Sequence, residues 1–397
     1  MSTVLHNECH ELALEKYNSQ VIIKGVSRPI RICFLIDNLA IGGTETQLLA
    51  LIQHLDRSLF MPFLILLDGN GIQSQSMESS SCEVLRLGIH KLFTFRTLRS
   101  LLSFSRFLKN NEIDILQLYF RDSTYFGCIA GRIAKVKTII RTRNNANHWM
   151  GLKDRLLGRM MNPCVDVTVC NSVAAQKAIR VDERPKVFSV FVIENGVDLD
   201  RFTQCYYPRH HQSKDYPLRV GMVANLRYIK GIDIFLQAAS LIIRNNHAVT
   251  FHVAGDGPDR ETLERDILKL GIQKRFFLEG RINNIPEFLS SLDVAVLSSR
   301  SEGMPNAILE YMAAAKPIVS TAFSGIESIL QHDIHALVTP LCNYVKLAEA
   351  IEELLLNKDL ASRLSLQARH HVVTRFSRKT MIDKFERLYL KLSNRVK

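Results

Sequence analysis

Glu302 and Glu310 are separated by seven residues in the stretch Ser301–Glu310 (SEGMPNAILE). An apolar run ends just before it at Leu297, and Pro305 stands where a helix would begin. Proline suits a first helical position because the N–H it lacks would have no partner there. The amides of Gly303, Met304 and Asn306 then point out of a helix N-terminus, which is a ready place for a phosphate. A carboxylate beside a phosphate is costly unless it has a second task, and hydrogen-bonding sugar hydroxyls is one. The plainer alternative is a carboxylate favoured by the helix dipole plus a solvated glutamate.

A second cluster, Gly221–Gly231 (GMVANLRYIKG), sets Arg227 and Lys230 ahead of a glycine and a new helix. That is a cationic clamp for a diphosphate, or two solvated basic residues on a loop. Gly42 and Gly43 in IGGTE join a first strand to a first helix, where paired glycines let the backbone approach a ligand. The spacing is not G-x-G-x-x-G and does not argue for NAD. Asp198-Leu199-Asp200 is a D-x-D pair. With no other acidic cluster near it, it does not predict a metal site.

The elements that must position these residues alternate between short β-branched runs and longer amphipathic helical patterns. Thirteen strands are predicted, beginning at Arg31–Asp37 and ending at Ala336–Val338, with helices such as Glu45–Leu55 and Ile232–Asn245 between them. Such alternation calls for parallel sheets covered on both faces. The pattern restarts near Leu218 after a polar, turn-rich stretch. The reading is therefore an α/β protein: an N-terminal extension over 1–29, a Rossmann-like domain over 30–205, a linker over 206–217, and a second Rossmann-like domain over 218–375. A C-terminal helix over 376–397 is placed to cross back to the first domain. A ligand belongs in the cleft between the domains, outside the C-terminal ends of the strands.

Composition narrows the classes. With 47% apolar and 23% charged residues the chain is globular rather than disordered. No apolar run is long enough to span a bilayer, the first residues do not read as a signal peptide, and the eight cysteines form no CxxC pair. These features predict a cytoplasmic protein. The net charge of +12 is concentrated between Arg86 and Lys186, which hold 19 Lys/Arg against 7 Asp/Glu. Such a stretch attracts a membrane surface, a phosphorylated substrate or nucleic acid. Nucleic acid is not expected, for want of zinc-finger spacing or an RNP-like motif.

Taken together, GGTETQ (42–47), CNS (170–172), ENGVDLDRF (194–202), ANLRYIKG (224–231), GDGP (255–258), SEGMPNAILE (301–310) and KPIVST (316–321) resemble the retaining family 4 glycosyltransferases of the GT-B fold, two doubly wound domains facing across a cleft. The resemblance covers about 350 residues. It implies that Glu302 contacts the donor sugar and Glu310 the ribose. The domain over 218–375 would bind the nucleotide-sugar donor, the amides of Gly303, Met304, Asn306 and Ala307 holding the distal phosphate region, with Gly42 and Gly43 approaching from the facing, acceptor-side domain over 30–205. Arg227 and Lys230 would neutralise the leaving diphosphate in place of a metal, so neither metal nor other cofactor is expected. The anomeric configuration would be kept.

Three positions depart from the family pattern. Asn225 stands where an arginine is frequent, Arg143 where a histidine is frequent (leaving His148 as the nearest one), and Ile334–His335 where a glycine is usual. The implied reaction moves a sugar from a nucleotide diphosphate donor, by family habit most often uridine and otherwise guanosine, to a hydroxyl of a glycan or lipid-linked acceptor at the inner membrane face, with peripheral contact to anionic membrane. The competing classes are an epimerase or phosphorylase on the same fold, and a non-catalytic binding protein.

Overall fold

The computed structural model describes residues 28–40, 42–68, 82–90, 92, 94–144, 151–185, 189–206, 217–245 and 248–394. Most of the N-terminal extension and of the linker therefore lies outside the described residues. Within the described residues the strands form two all-parallel sheets.

The first sheet is built from β1 (Ile30–Ile36), β2 (Phe60–Leu66), β3 (Glu83–Arg86), β4 (Ile115–Leu118), β5 (Thr138–Arg143), β6 (Val167–Cys170) and β7 (Val190–Val192), in the spatial order β3-β2-β1-β4-β5-β6-β7. Its helices are α1 (Gly43–His54), α2 (Phe95–Asn110), α3 (Arg121–Ile133), α4 (Leu152–Met161) and α5 (Val173–Asp182). The second sheet contains β8 (Leu218–Val223), β9 (Val249–Ala254), β10 (Phe276–Gly280), β11 (Val294–Leu297), β12 (Ile318–Thr321) and β13 (Leu337–Thr339), ordered β10-β9-β8-β11-β12-β13. Around it lie α6 (Ile232–Asn245), α7 (Arg260–Leu270), α8 (Ile285–Ser290), α9 (Asn306–Ala313), α10 (Tyr344–Leu356) and α11 (Lys358–Arg375), and the chain continues into α12 (Arg378–Asn394). Each predicted strand falls on an observed one.

Both sheets reverse their winding once. The chain leaves β1 for β2 on one side and returns to pair β4 on the other, with Ile32 opposite Ile115. Likewise β8 pairs β9 on one side and β11 on the other, with Ala295 opposite Gly221. Loops diverge at such a reversal and leave a crevice beyond the strand ends. Asp37 and Tyr119 follow β1 and β4; the loops 224–231 and 298–305 follow β8 and β11. The motif residues are thus gathered at the two switch points.

β4, β5, β6, β11 and β12 are buried at every position, as strands covered by helices on both faces must be. The C-terminal helix α12 packs on the first domain. Met381, Ile382, Phe385, Leu388, Tyr389 and Leu392 join one core with Ile30, Leu48, Phe60 and Ile140. The Tyr389 hydroxyl donates to buried Gln117 Oε1 at 2.5 Å, and Glu386 accepts from the Asp56 amide at 2.8 Å. The crossover itself is pinned where Val197 exchanges backbone hydrogen bonds with Phe376 and Arg378, each 2.9 Å.

Candidate functional site

The helix behind the E-x7-E segment begins one residue later than proline placement predicts. Pro305 is the N-cap of α9, with φ −74° and an extended ψ of 117°, and Asn306 is the first helical residue. The proline's fixed φ serves an extended cap as well as a first turn. The amides of Asn306 and Ala307 open the helix with no intrahelical acceptor, and the Ile308 amide donates to the Pro305 carbonyl at 3.2 Å. Gly303 and Met304 are buried against the helix start. Tyr311 seats the helix: its fully buried hydroxyl accepts from the Val223 amide at 2.7 Å and donates to the Val296 carbonyl at 3.2 Å. One side chain therefore ties α9 to both switch-point strands, β8 and β11.

Lys230 and Glu302, expected to serve different parts of a ligand, are in direct contact. Lys230 Nζ donates to Glu302 Oε1 at 2.6 Å, and the Ser299 hydroxyl donates to the same oxygen at 2.7 Å. Their loops are sewn together. The Ser298 hydroxyl donates to the Gly231 carbonyl at 2.8 Å, the Arg300 amide to Ile229 at 2.8 Å, and the Thr321 hydroxyl to Ser299 at 2.6 Å. Gly231 has a φ of +63°, and a Cβ there would lie 2.0 Å from the Ser298 carbonyl oxygen. Only glycine allows both the turn and the approach.

Arg227 caps the turn before Lys230 and is exposed. Its charge reaches Glu45 on α1 of the facing domain, whose carboxyl burial pushes upward and Arg227 pulls back. Glu310 projects from α9. Burial raises its carboxyl to about 7, against a smaller opposing pull from Arg201. It accepts no hydrogen bond from a described residue, so it has two oxygens to offer. Asn225 is exposed, as Arg227 is.

Gly43 meets the start of α9, while Gly42 lies against the Glu45 side chain of α1. The Asn306 amide group donates to the Gly43 carbonyl at 3.2 Å, and a Cβ on Gly43 would come within 3.1 Å of it. The Asn306 side chain is in fact part of a lock across the cleft. Its Oδ1 accepts from Asn195 Nδ2 at 2.8 Å and from Gln47 Nε2 at 3.2 Å. Gln47 also exchanges hydrogen bonds with the Gly196 backbone at 2.9 and 3.1 Å. Asn306 was expected through its backbone amide alone.

His148 lies outside the described residues. The D-x-D pair is occupied elsewhere: Asp198 holds Arg378 of α12 at 3.0 Å and accepts from the Asp200 amide at 3.3 Å. At the position of the family histidine, Arg143 is 4% exposed and shares Glu183 with Arg141, at 2.9 and 2.5 Å. Arg143 faces a cavity of about 410 Å³ at the first switch point, lined by Asp37, Thr44, Tyr119, Phe120, Arg121, Asp122, Thr142 and Asn144. Of its ionisable side chains, sequence motifs pointed only at Arg143.

Comparison with known proteins places this geometry. Residues 207–371 match the family of glycosyl transferases group 1. Over 74% of this chain and 80% of its own length, an Escherichia coli UDP-Gal:α-D-GlcNAc-diphosphoundecaprenol α-1,3-galactosyltransferase is 26% identical. A Staphylococcus aureus poly(ribitol-phosphate) α-N-acetylglucosaminyltransferase is 22% identical over 52% of this chain, and only 42% of that longer protein is covered. Among solved structures, Anabaena HepE in complex with UDP and glucose superposes with a TM-score of 0.79 at 19% identity, over 90% of this chain and 99% of that one. The fold is GT-B, and the match to glycosyl transferases group 1 spans the second domain.

Proposed function

We propose that this group 1 glycosyltransferase chain moves a sugar, with retention, from a uridine diphosphate-linked donor to a hydroxyl of a glycan or lipid-linked acceptor. The observation that carries the reading is the convergence, at the switch point of the second domain, of the Lys230–Glu302 pair, the open start of α9 and the Glu310 carboxylate, which accepts no hydrogen bond from a described residue. A diphosphate fits between Lys230, Arg227 and the α9 amides, where cations and N–H groups stabilise the charge that develops as the sugar–phosphate bond breaks. Glu310 accepts hydrogen bonds from the ribose hydroxyls. Glu302 turns from Lys230 to the sugar hydroxyls. Gly42 and Gly43 bring the facing backbone against the phosphates. These residues supply the charge stabilisation themselves, so no divalent ion is needed.

Uridine as the base is supported by the E. coli relative, named for a UDP-linked donor, and by the UDP in the Anabaena structure. The lipid-linked acceptor is supported by the diphosphoundecaprenol in the E. coli relative's name. A second observation supports work at an anionic membrane face. Helix α2 exposes Phe95, Leu98 and Leu102 at helical spacing, beside exposed Arg99, Arg106 and Lys109. Helix α4 exposes Leu156 and Met160 beside Lys153, Arg155 and Arg159. Apolar stripes flanked by basic residues suit the lipid headgroup boundary, and no helix among the described residues is long and apolar enough to cross a membrane.

The direct test is release of nucleoside diphosphate from nucleotide sugars by the purified protein, with acceptor present, in chelator. Wild-type turnover and its loss in Glu302→Ala are expected. Turnover that requires added Mn²⁺ overturns the metal-free assignment. Product formed with no acceptor, by inversion of a sugar carbon, supports the epimerase alternative instead.

A further inference from the structure

The start of α9 is held by a relay of amides that begins where the two interdomain crossings meet. Gly196 lies on the crossing out of the first domain. A Cβ there would come within 2.7 Å of the Arg378 Cα and 3.0 Å of the Ser377 carbonyl oxygen, both on the crossing back. The neighbouring Val197 bonds to Phe376 and Arg378 through its backbone, at 2.9 Å each. The Gly196 backbone is therefore a fixed point of the fold.

Gln47 is mounted on that point. It stands four residues after Gly43, the first residue of α1, and so on the same face of the helix. Its carboxamide pairs with Gly196 as a second backbone would: Oε1 accepts from the Gly196 amide at 3.1 Å, and Nε2 donates to the Gly196 carbonyl at 2.9 Å. Turning the carboxamide over would set donor against donor and acceptor against acceptor, so its orientation is determined. Nε2 also donates to Asn306 Oδ1 at 3.2 Å, where Asn195 Nδ2 donates at 2.8 Å. An atom that receives two donors has to be the oxygen of the Asn306 carboxamide. Its Nδ2 is left to face Gly43, and donates to that carbonyl at 3.2 Å. Asn195 ties the same region from the crossing, donating to the Met304 carbonyl at 3.2 Å.

We infer that Gln47 is a positioning residue for the distal phosphate of the nucleotide sugar, holding the α9 amides and the Gly43 backbone in register through Asn306. This deepens the glycosyltransferase reading and rests on it. Gln47 acts on the two backbone segments assigned to the phosphate, and no contact with the donor is assigned to it. N–H groups stabilise an anion best when they are fixed before it arrives, and a misplacement of about 1 Å can lower a rate about a hundredfold. The ribose contact has a different support. Glu310 precedes Tyr311, whose hydroxyl is bound to Val223 of β8 and Val296 of β11, so its placement does not depend on Gln47.

The relay therefore predicts a loss confined to the distal phosphate. The test measures Kd for UDP and UMP by calorimetry on the full chain, with GDP and GMP in parallel. Gln47→Met should lower the ratio of UDP to UMP affinity about tenfold while UMP binding stays within about twofold of wild type. Gln47→Glu keeps the shape and the acceptor for the Gly196 amide but, as a carboxylate, can donate to neither Gly196 nor Asn306, and should lower the ratio as well. Tyr389→Phe breaks the hydroxyl bond to Gln117 and none in the relay; it controls for lost stability and should keep the wild-type ratio. A ratio unchanged in a folded Gln47 variant, or lowered equally in Tyr389→Phe, would overturn the inference. Wild-type protein that binds none of the four nucleotides would overturn the glycosyltransferase reading, and the inference with it.

Discussion

Lys230 Nζ lies 2.6 Å from Glu302 Oε1, so the cation assigned to the leaving diphosphate and the carboxylate assigned to the sugar form one ion pair before any ligand arrives. The two side chains are 24% and 11% exposed. At such burial, removing one partner strands the other charge. On the proposed reading, the pair keeps both charges compensated before a ligand binds and releases both when a donor supplies a phosphate and a hydroxyl in their place.

Lys230→Ala should therefore weaken UDP binding by about 1.5–3 kcal/mol, the scale of a hydrogen bond to a charged group. Glu302→Gln should leave UDP affinity equal or tighter, because Lys230 loses its competing carboxylate, and should lower transfer. Calorimetric titration of the two variants checks the division of labour. Unchanged UDP affinity in Lys230→Ala contradicts it.

Glu310 carries a pH dependence. Its carboxyl is raised by burial to about 7 from an ordinary value of 4.5. A carboxyl raised in the folded state binds its proton more tightly there than in the unfolded chain. It thus stabilises the fold below about 4.5, and that contribution is lost as pH rises toward 7. Ribose hydroxyls bind best to the ionised form, so UDP affinity should rise with pH up to about 7 and then level. The diphosphate titrates as well, which makes Glu310→Gln the control. The difference between wild type and variant should shrink below pH 7, by calorimetry across pH 5.5–8. A difference independent of pH contradicts the role.

The buried triad of Arg141, Glu183 and Arg143 gives a stability prediction. Glu183 is fully buried between two guanidiniums, and burial lowers Arg141 to about 10. Glu183→Gln leaves two buried cations without a counter-ion and should cost about 3–5 kcal/mol, read by urea denaturation. Replacement at the exposed Glu349, paired only with Lys346 on the surface of α10, should cost under about 1 kcal/mol.

Much of the fold was legible in the sequence because parallel strands buried on both faces declare themselves as short apolar runs, and turn chemistry separates them. Val294–Leu297 is of this kind, whereas Thr138–Arg143 (TIIRTR) is buried throughout despite two arginines in its run. The donor side was legible because its parts are local: Glu302 and Glu310 lie on one loop and helix, Arg227 and Lys230 on another loop. The Gln47–Asn195–Asn306 lock was not, since its members come from three distant segments and amides have no spacing signature. Asp37 was missed for a related reason. It ends a predicted strand, where a polar residue is ordinary, and its partner Ser123 is 86 positions away. Arg201 near Glu310 sits inside a motif but reaches its partner only through the fold. The placement of Pro305 as cap rather than first helical residue shows the limit of proline as a marker, since one φ value suits both.

The Tyr389 hydroxyl bond to Gln117 tests whether α12 stabilises the first domain. Both residues are buried, so Tyr389→Phe leaves Gln117 Oε1 unsatisfied and should cost about 1–3 kcal/mol. The loss should appear as faster hydrogen exchange in β1 and β4. Loss confined to the second domain contradicts the packing role.

If the exposed stripes of α2 and α4 meet lipid, sedimentation with anionic vesicles should fall with added salt. Phe95→Asp should weaken it further. Binding indifferent to lipid charge contradicts the membrane face.

The measurement closest to the central claim is thermal unfolding across a panel of UDP- and GDP-linked sugars. A ligand that binds only the native state stabilises it by about 2.7 kcal/mol at a concentration one hundred times its Kd. We expect at least one UDP-sugar to raise the melting temperature by several degrees in wild type and by clearly less in Lys230→Ala. A panel in which no nucleotide sugar moves the transition at millimolar concentration would contradict the assignment of the cleft as a donor site.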